Sequence, residues 1–359
     1  METSDKLSPR QFLAAAFVSA LSPLIRRFPR TLALHAGRAA ALAVPAGALL
    51  LLPLLAAAFA LCRRQAGRGN AALLRALLGR RAGRGAECLY GLWFLFYAGF
   101  LMRSGAERFI TTVYNGAGPA LFVCVMALLC ALAAAGRSAP LGRAAMLLCP
   151  LMLGMILLIA LLTAKDLDLT LLLPLSAAAP RGVFAGALET ANILSVPFFL
   201  GFLGDRLTRP VRLREALPWL GACLGIIALM TVGCLGMFGP ELTAKLRYPY
   251  FMLVRDLTVL GALERLEPLV IALWVFPDFL FVSLLLHLSA RCLAPRLAAR
   301  RWPAALCAGA AGAAALALPG EMGALAFLSD TLVPRVCALF GFGLLPVLLL
   351  CAALRRGRE

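Results

Sequence analysis

The chain has 359 residues, of which 62% are hydrophobic and only 14% are charged. A soluble domain is about half apolar and a quarter charged, so this composition excludes a soluble protein and indicates an integral membrane protein. The formal net charge of +18 comes almost entirely from arginines scattered between apolar segments. That distribution is typical of the loops of membrane proteins and argues against nucleic-acid binding.

A helix that crosses a membrane needs about 20 apolar residues, and counting such runs predicts ten spans. In chain order they cover residues 11–25, 37–61, 87–113, 119–135, 144–164, 182–203, 216–238, 268–288, 302–318 and 331–354. A short surface helix is expected at residues 70–78. The stretch 241–267 is too charged to cross the membrane and is expected to form a helical lid or a re-entrant loop. All of these elements belong to one polytopic domain, because no polar loop is long enough to build a separate core.

The sixth predicted span is interrupted near its middle by Ser195-Val196-Pro197. Proline has no N–H and clashes with the carbonyl four residues before it, so the helix is expected to bend or unwind there. Glu189, Asn192 and Ser195 recur at helical spacing before the interruption, which makes one face of this helix polar.

The first predicted span carries a similar interruption at Ser22-Pro23, and Pro23 and Pro197 are separated by 174 positions, close to half of the chain. Paired interrupted spans at matching points of two halves are the pattern of transporters whose substrate binds between inverted repeats. The sequence therefore predicts an all-α integral membrane fold with a five-plus-five inverted repeat. The first repeat is assigned to residues 11–164 and the second to residues 182–354, with helices 1 and 6 broken.

Orientation follows from the placement of lysine and arginine. With the N-terminus in the cytoplasm, the inside segments carry 22 of these residues and the outside segments carry 13. This bias favours both termini on the cytoplasmic side. No cleaved signal peptide is expected, because the first residues lack a basic region and no small-residue cleavage site follows the first apolar run.

The two interruptions predict a ligand-binding cavity, because they free backbone groups that a ligand can contact. A plain proline kink, with serine and asparagine satisfying the backbone, is the alternative. Small residues beside the prolines would let a ligand approach the backbone, and Tyr97 of the third span is a further lining candidate. The candidate residues at the two breaks are Ser19, Ala20, Ser22, Pro23, Asn192, Ser195, Val196 and Pro197.

Glu189 lies about two turns into the sixth predicted span, and Asp278 lies near the middle of the eighth. Intramembrane carboxylates are costly, and they often mark a substrate pathway or a proton relay. The alternatives are a structural ion pair with an arginine or a protonated acid, and Glu189 can also reach the outer interface. Arg103 and Glu107, which lie at i, i+4 spacing in the third span, are interpreted as a structural ion pair.

Motifs for catalysis are absent from the sequence. It contains no G-x-x-x-x-G-K-[ST] loop, no G-x-G-x-x-G motif opening a helix and no H-E-x-x-H motif. The 11 cysteines form no C-x-x-C pair, and most lie in apolar runs, where reduced core cysteines are expected. We therefore expect no enzyme activity, no cofactor and no metal.

One block of the sequence carries a family pattern. Tyr248-Pro249-Tyr250 is followed by Arg255, by Glu264-Arg265-Leu266-Glu267 and by Trp274 in the eighth span. Leu7-Ser8-Pro9-Arg10-Gln11 precedes the first span, and Arg27-Phe28-Pro29 follows it. Together with the ten-span layout, these segments make the chain resemble the spore germination permease-like B subunits of the GerAB type.

The resemblance implies a LeuT-like fold of the amino acid/polyamine/organocation superfamily. It also implies a place in the spore inner membrane, assembly with A- and C-type germinant receptor subunits, and sensing of a small nutrient such as an amino acid. By position, it implies that the two breaks, the third span and the eighth span with Trp274 face the ligand. The chain departs from the family at Ser19-Ala20-Leu21-Ser22, where other members often have glycine.

Two other functions fit the same sequence. One is a stand-alone secondary amino acid transporter coupled to H⁺ or Na⁺, for which Asp278 is the well-placed coupling group. The other is a structural subunit whose cavity is vestigial. A sensor needs only different affinities for two conformations, and the sequence does not separate it from a transporter.

Overall fold

The computed structural model describes residues 5–64, 69–112, 118–173, 179–255, 267–297, 300–320 and 322–343. Within these ranges the chain is helical apart from turns and one isolated parallel bridge, which joins Leu7 to Leu207. The all-helical part of the predicted fold class is therefore confirmed for the described residues.

The helices are numbered in chain order. They are α1 Pro9–Ala36, α2 Ala40–Arg64, α3 Asn70–Leu78, α4 Arg80–Thr112, α5 Pro119–Ala134, α6 Ser138–Thr163, α7 Pro180–Ile193, α8 Leu213–Lys245, α9 Pro249–Arg255, α10 Glu267–Leu293, α11 Trp302–Ala317, α12 Met322–Phe327 and α13 Val333–Ala338. A 3-10 segment, Val196–Arg206, follows α7. Two π-helical turns, Leu328–Leu332 and Leu339–Gly343, flank α13.

Seven helical stretches of the described chain are long and apolar enough to cross a membrane, and α5 and α11 are shorter apolar helices. The first of the seven, Pro9–Ala57, includes both α1 and most of α2. The protein is thus an integral membrane protein built from helices. The count of ten crossings stays a prediction.

The described helices follow most of the predicted segments closely. The short helix predicted at residues 70–78 is confirmed as α3, whose apolar face packs on α4. The seventh span extends to Lys245, and it kinks at Gly239, whose φ of +72° favours glycine. The predicted lid begins as the end of α8 and continues into α9, and its residues 256–266 lie outside the described part of the chain. Residues 344–354 of the tenth predicted span also lie outside it.

The predicted break of the first helix at Pro23 is wrong. α1 runs from Pro9 to Ala36 as one helix, with Pro23 and Pro29 inside it. An internal proline removes one backbone hydrogen bond and disturbs one turn. Here α6, α7, α8 and α10 all pack against α1, and the chain stays helical through Pro23.

The start of α1 is fixed by local interactions. The Ser8 hydroxyl accepts a hydrogen bond from the Gln11 N–H over 3.2 Å, and the Gln11 side chain accepts one from the Ser8 N–H over 2.8 Å. This is a capping box, and Pro9 occupies the first helical position, where its missing N–H costs nothing.

The predicted interruption of the sixth helix is confirmed. α7 ends at Ile193, a turn follows, and the chain continues from Val196 as a 3-10 segment. The Ser195 N–H donates to the Asn192 carbonyl over 2.9 Å, and the Ser195 carbonyl accepts from the Phe198 N–H over 3.0 Å. These i to i+3 bonds replace the α-helical pattern on both sides of Ser195.

Contacts between helices distant in sequence build the core of the fold. α1 packs on α8 and α2 packs on α7, while α4 packs on both α10 and α11, and α5 packs on the same two helices. α1 also contacts α6, α7, α10 and the 3-10 segment, and most of its residues are buried. This arrangement places the middle of α1 beside the interruption that follows α7.

The ends of the helices form two separate groups. In one group, Asp5 before α1 pairs with Arg206 after the 3-10 segment at 3.3 Å, and Arg84 of α4 donates to the Leu293 carbonyl of α10 over 3.0 Å. In the other, Arg30 of α1 donates to the Ala244 carbonyl of α8 over 3.2 Å. The ends that meet are those that the predicted order of spans places on the same side of the membrane.

Candidate functional site

A small cavity lies where α1, α4 and α13 meet the interruption after α7. Its volume is about 30 Å³, which is room for one or two water molecules. The residues that line it are Pro23, Arg26, Arg27, Tyr97, Glu189, Asn192, Ile193, Val196, Ser329, Val333, Pro334 and Cys337.

Five of the residues singled out from the sequence meet at this cavity. Pro23 of the first span, Tyr97 of the third, and Glu189, Asn192 and Val196 of the sixth all lie on its wall. Pro23 and Val196 come from the two halves of the chain, so the fold brings the two proline-containing segments together. Both segments contribute side chains, although only the second one is unwound.

Ser195 and Pro197 are buried in the interruption without lining the cavity. The Ser195 hydroxyl donates to the Cys337 carbonyl of α13 over 3.3 Å. Gly341 packs so closely on this turn that a Cβ there would lie 2.6 Å from the Ser195 Cβ. Ser195 therefore fixes the interruption to α13 and the π-helical turn that follows it.

The candidates Ser19, Ala20 and Ser22 are buried in α1 and do not line the cavity. Because α1 stays helical at Pro23, no backbone N–H is freed for a ligand, in contrast to the sequence-based expectation. Of these three residues, Ser19 alone loses a helical hydrogen bond, because its carbonyl would accept from the N–H that Pro23 lacks. Ser22 instead donates a hydrogen bond to the carboxylate of Asp278 on α10.

Asp278 lies in a buried ion pair outside the cavity. Its carboxylate contacts the guanidinium of Arg108 on α4, and both side chains are almost completely buried. The Arg108 guanidinium carbon lies 5.4 Å from the centre of the Trp274 ring. A buried carboxylate requires such a partner. This geometry matches the structural ion pair that was the alternative to a proton relay.

Tyr97 forms an aromatic wall of the cavity with its neighbours. Its ring stacks on Trp93 with centroids 5.7 Å apart and meets the edge of Phe281 at 5.4 Å. Ring pairs in these geometries stabilise one another, so the α4 side of the cavity is closely packed. Trp274, which the family resemblance placed beside the ligand, packs on Tyr248 and Phe251 instead.

A cluster of charges lies beside the cavity. Arg27 of α1 lies 3.7 Å from Glu189 of α7 and 3.5 Å from Asp330 in the π-helical turn, and it donates to the Ser329 carbonyl. Arg30 lies 2.7 Å from the same Asp330. These ion pairs, here called the mouth cluster, tie three separate elements together beside the cavity.

Seven lining residues were not predicted from the sequence as site residues: Arg26, Arg27, Ile193, Ser329, Val333, Pro334 and Cys337. The available signal was helical spacing, because Arg26 follows Ser22 by one turn and continues the face of Pro23. The predicted first span ends at residue 25, which leaves Arg26 outside it. No sequence pattern indicated that α13 would form part of the cavity wall.

The chain was compared with models of protein families. The model of a family described as spore germination protein matches residues 6–299, which is most of the chain. A search of curated proteins finds no significant match. The matched region includes α1, the wall from α4 and the interruption after α7. The wall from α13 and the carboxylate of Asp330 lie beyond it.

Proposed function

The chain belongs to the spore germination protein family, and we propose that it is the permease-like, ligand-sensing subunit of a spore nutrient germinant receptor. In this proposal it binds a small molecule, such as an amino acid, in the cavity between α1 and the interruption after α7. One observation carries the proposal: Pro23 and Val196, from matching points of two halves of the chain, line the same space. Permease-family membership indicates a receptor or transport role and argues against catalysis.

We further propose that the fold is the LeuT-like five-plus-five inverted repeat, with residues 11–164 and 182–354 as its halves. The reciprocal packing supports this assignment. In an inverted repeat, a contact between the first helix of one half and the second helix of the other recurs with the halves exchanged. The pairs α1–α8 and α2–α7 fulfil this condition. The pairs α4–α11 and α5–α10 fulfil the same condition for the third and fourth helices of each half. With this fold, we assign the protein to the amino acid/polyamine/organocation superfamily.

Ligand binding requires the cavity to expand. Sites for small molecules usually measure about 300–1,000 Å³, whereas this cavity measures about 30 Å³. The closely packed aromatic wall on α4 offers little room, so in this proposal the wall from α7 and α13 moves. The mouth cluster connects α1, α7 and the turn at Asp330, and opening the cavity breaks it. A ligand that favours one of these two states shifts the population between them, which is what a sensor needs.

The alternative is a stand-alone secondary transporter coupled to H⁺ or Na⁺. Such a protein needs an ion-coupling group that is available in the transport cycle. Asp278 is already bound to Arg108 and Ser22, and Glu189 is paired with Arg27 at 3.7 Å. These contacts favour the sensor. The sensor assembles in the spore inner membrane with A- and C-type subunits and has both termini in the cytoplasm.

A bulky substitution at Val196 tests the proposal. Val196 is buried and lines the cavity, so Val196→Phe fills space that a ligand needs. Spores carrying this variant should need at least roughly ten times more nutrient for the same germination rate, while the subunit accumulates normally in the membrane. Leu128→Phe is the matched control, because Leu128 is 63% exposed on the apolar helix α5. Normal germination of the Val196→Phe spores would contradict the proposal.

A further inference from the structure

Arg26 is a buried cation on the wall of the cavity. It follows Ser22 by one turn of α1, only 4% of its surface is exposed, and it lines the cavity together with Asn192. Its Nη1 donates a hydrogen bond to the Ser104 hydroxyl over 3.0 Å, and its guanidinium carbon lies 5.2 Å from the centre of the Phe100 ring. Its Nε–H has no hydrogen-bond partner among the described residues.

Arg26 differs from the other buried arginines of α1 and α4 in its lack of a carboxylate. Each of the others has a carboxylate within 4.0 Å, in the pairs Arg27–Glu189, Arg103–Glu107 and Arg108–Asp278. In the part of the chain that the structure describes, no carboxylate lies within that distance of Arg26. Its positive charge is therefore not paired by the protein residues described around the cavity.

A guanidinium is not deprotonated in proteins, so Arg26 keeps its charge in the membrane-embedded core. A buried charge without an opposite charge is costly, and an ionisable side chain at membrane depth marks a functional site by default. The planar guanidinium matches the two oxygens of a carboxylate better than any other side chain does. The partner that best fits Arg26 is therefore a carboxylate that is brought in from outside the protein.

We propose that Arg26 binds the carboxylate of the ligand, so that the cavity selects free amino acids over uncharged nutrients. This inference rests on the proposed function and specifies the ligand class of the same site. α1 is not unwound at Pro23, so it has no free backbone N–H to offer a carboxylate, and Arg26 supplies the positive charge in its place. On α7, the Asn192 Oδ1 has no hydrogen-bond partner among the described residues. This acceptor and the Glu189 carboxylate suit the ammonium group of the same amino acid.

The test is an equilibrium binding measurement on the purified full-length protein in lipid nanodiscs. The probes are the twenty common L-amino acids, their C-terminal amides, and D-glucose and adenosine as uncharged nutrients. At least one amino acid should bind, and its amide should bind at least roughly 30-fold more weakly, because it lacks the charge that Arg26 pairs with. Arg26→Met should weaken the amino acid to a similar degree and bring its affinity within about threefold of that of the amide.

Arg103→Met is the matched control, because Arg103 is as buried as Arg26 but does not line the cavity. This variant should keep the preference for the acid over the amide. If Arg26→Met does not fold, two other measurements test whether Arg26 pairs with the ligand carboxylate. These are binding to Arg26→Lys and the comparison of acid with amide in the unaltered protein. Arg26→Lys should keep a preference for the acid, because it retains the charge.

Three outcomes would overturn the inference. The first is equal binding of acid and amide by the unaltered protein, and the second is an undiminished acid preference in Arg26→Met. The third is binding of the uncharged probes alone. If Val196→Phe also blocks that binding, the cavity is still the ligand site, and only the proposed role of Arg26 is refuted. Failure of every probe to bind would contradict both the proposed function and this inference.

Discussion

Arg27 of α1 and Glu189 of α7 face each other beside the cavity, with Nη2 and Oε2 3.7 Å apart. The two residues are separated by 162 positions, and they join the two segments that line the proposed site. Arg27 is also 3.5 Å from Asp330, so one guanidinium connects three elements. Under the proposed function, the mouth cluster is the contact that breaks when the cavity opens.

Loss of Asp330 should open the cavity more often. Asp330→Asn removes the carboxylate that Arg27 and Arg30 share, and partly exposed ion pairs of this kind contribute about 1 kcal/mol or less each. In a variant whose single cysteine is Cys337, which lines the cavity, a small thiol reagent should react at least about threefold faster. Glu215→Gln, which removes the exposed pair with Arg209, is the control and should leave the rate unchanged. An unchanged rate in Asp330→Asn would show that the mouth cluster does not restrict access.

Asp278→Asn should destabilise the protein. The change leaves the Arg108 guanidinium buried without its carboxylate, and breaking a buried pair in this way typically costs about 3–5 kcal/mol. The variant should accumulate less in the membrane and unfold at a lower temperature. Adding Arg108→Gln should restore part of the loss, because the double variant no longer buries the Arg108 charge without its carboxylate. Normal accumulation of Asp278→Asn, together with loss of any pH dependence of the response, would instead support the proton relay.

The interruption after α7 should depend on Pro197. In Pro197→Ala the residue gains an N–H and no longer clashes with the preceding turn, so the α-helix can continue past Ile193. Continuation would rotate Val196 away from its place on the cavity wall, and ligand affinity should fall although no polar side chain is lost. Pro45→Ala is the control, since Pro45 is exposed within α2 and outside the cavity. Equal affinities for the two variants would mean that the interruption is held by other contacts.

The orientation can be checked by labelling from outside. Arg81 lies at the start of α4 and Lys165 follows α6, and both are exposed. With both termini in the cytoplasm, a cysteine at Arg81 should resist an impermeant thiol reagent in intact cells, whereas a cysteine at Lys165 should react. Each cysteine is placed alone in a cysteine-free background. The opposite pattern would invert the proposed topology.

Most of the helices were predictable because apolar length and helix-breaking residues act locally. The interruption at Ser195 followed from Pro197 and the polar face before it, and α3 followed from a short amphipathic run. The same proline argument failed at Pro23. There the packing of four helices around α1 decides the conformation, and packing partners distant in sequence cannot be read from a local pattern.

The polar part of the site was less predictable for the same reason. An arginine after an apolar run predicts the end of a span, yet Arg26 and Arg27 lie inside α1 because other elements provide their contacts. An ion pair with an arginine was one of the alternatives for Asp278, but no local pattern identifies Arg108, which is 170 positions away. The third wall of the cavity comes from α13, which no motif in the sequence connected with the two proline-containing segments.

The central claim is that one ligand site lies between α1 and the interruption after α7, and direct binding tests it best. The measurement is calorimetric binding of the twenty common L-amino acids to the purified protein, to Val196→Phe and to Leu128→Phe. We predict that at least one amino acid binds the unaltered protein and Leu128→Phe equally, and binds Val196→Phe at least roughly tenfold more weakly. Binding to Val196→Phe with undiminished affinity would contradict the claim and place the ligand elsewhere.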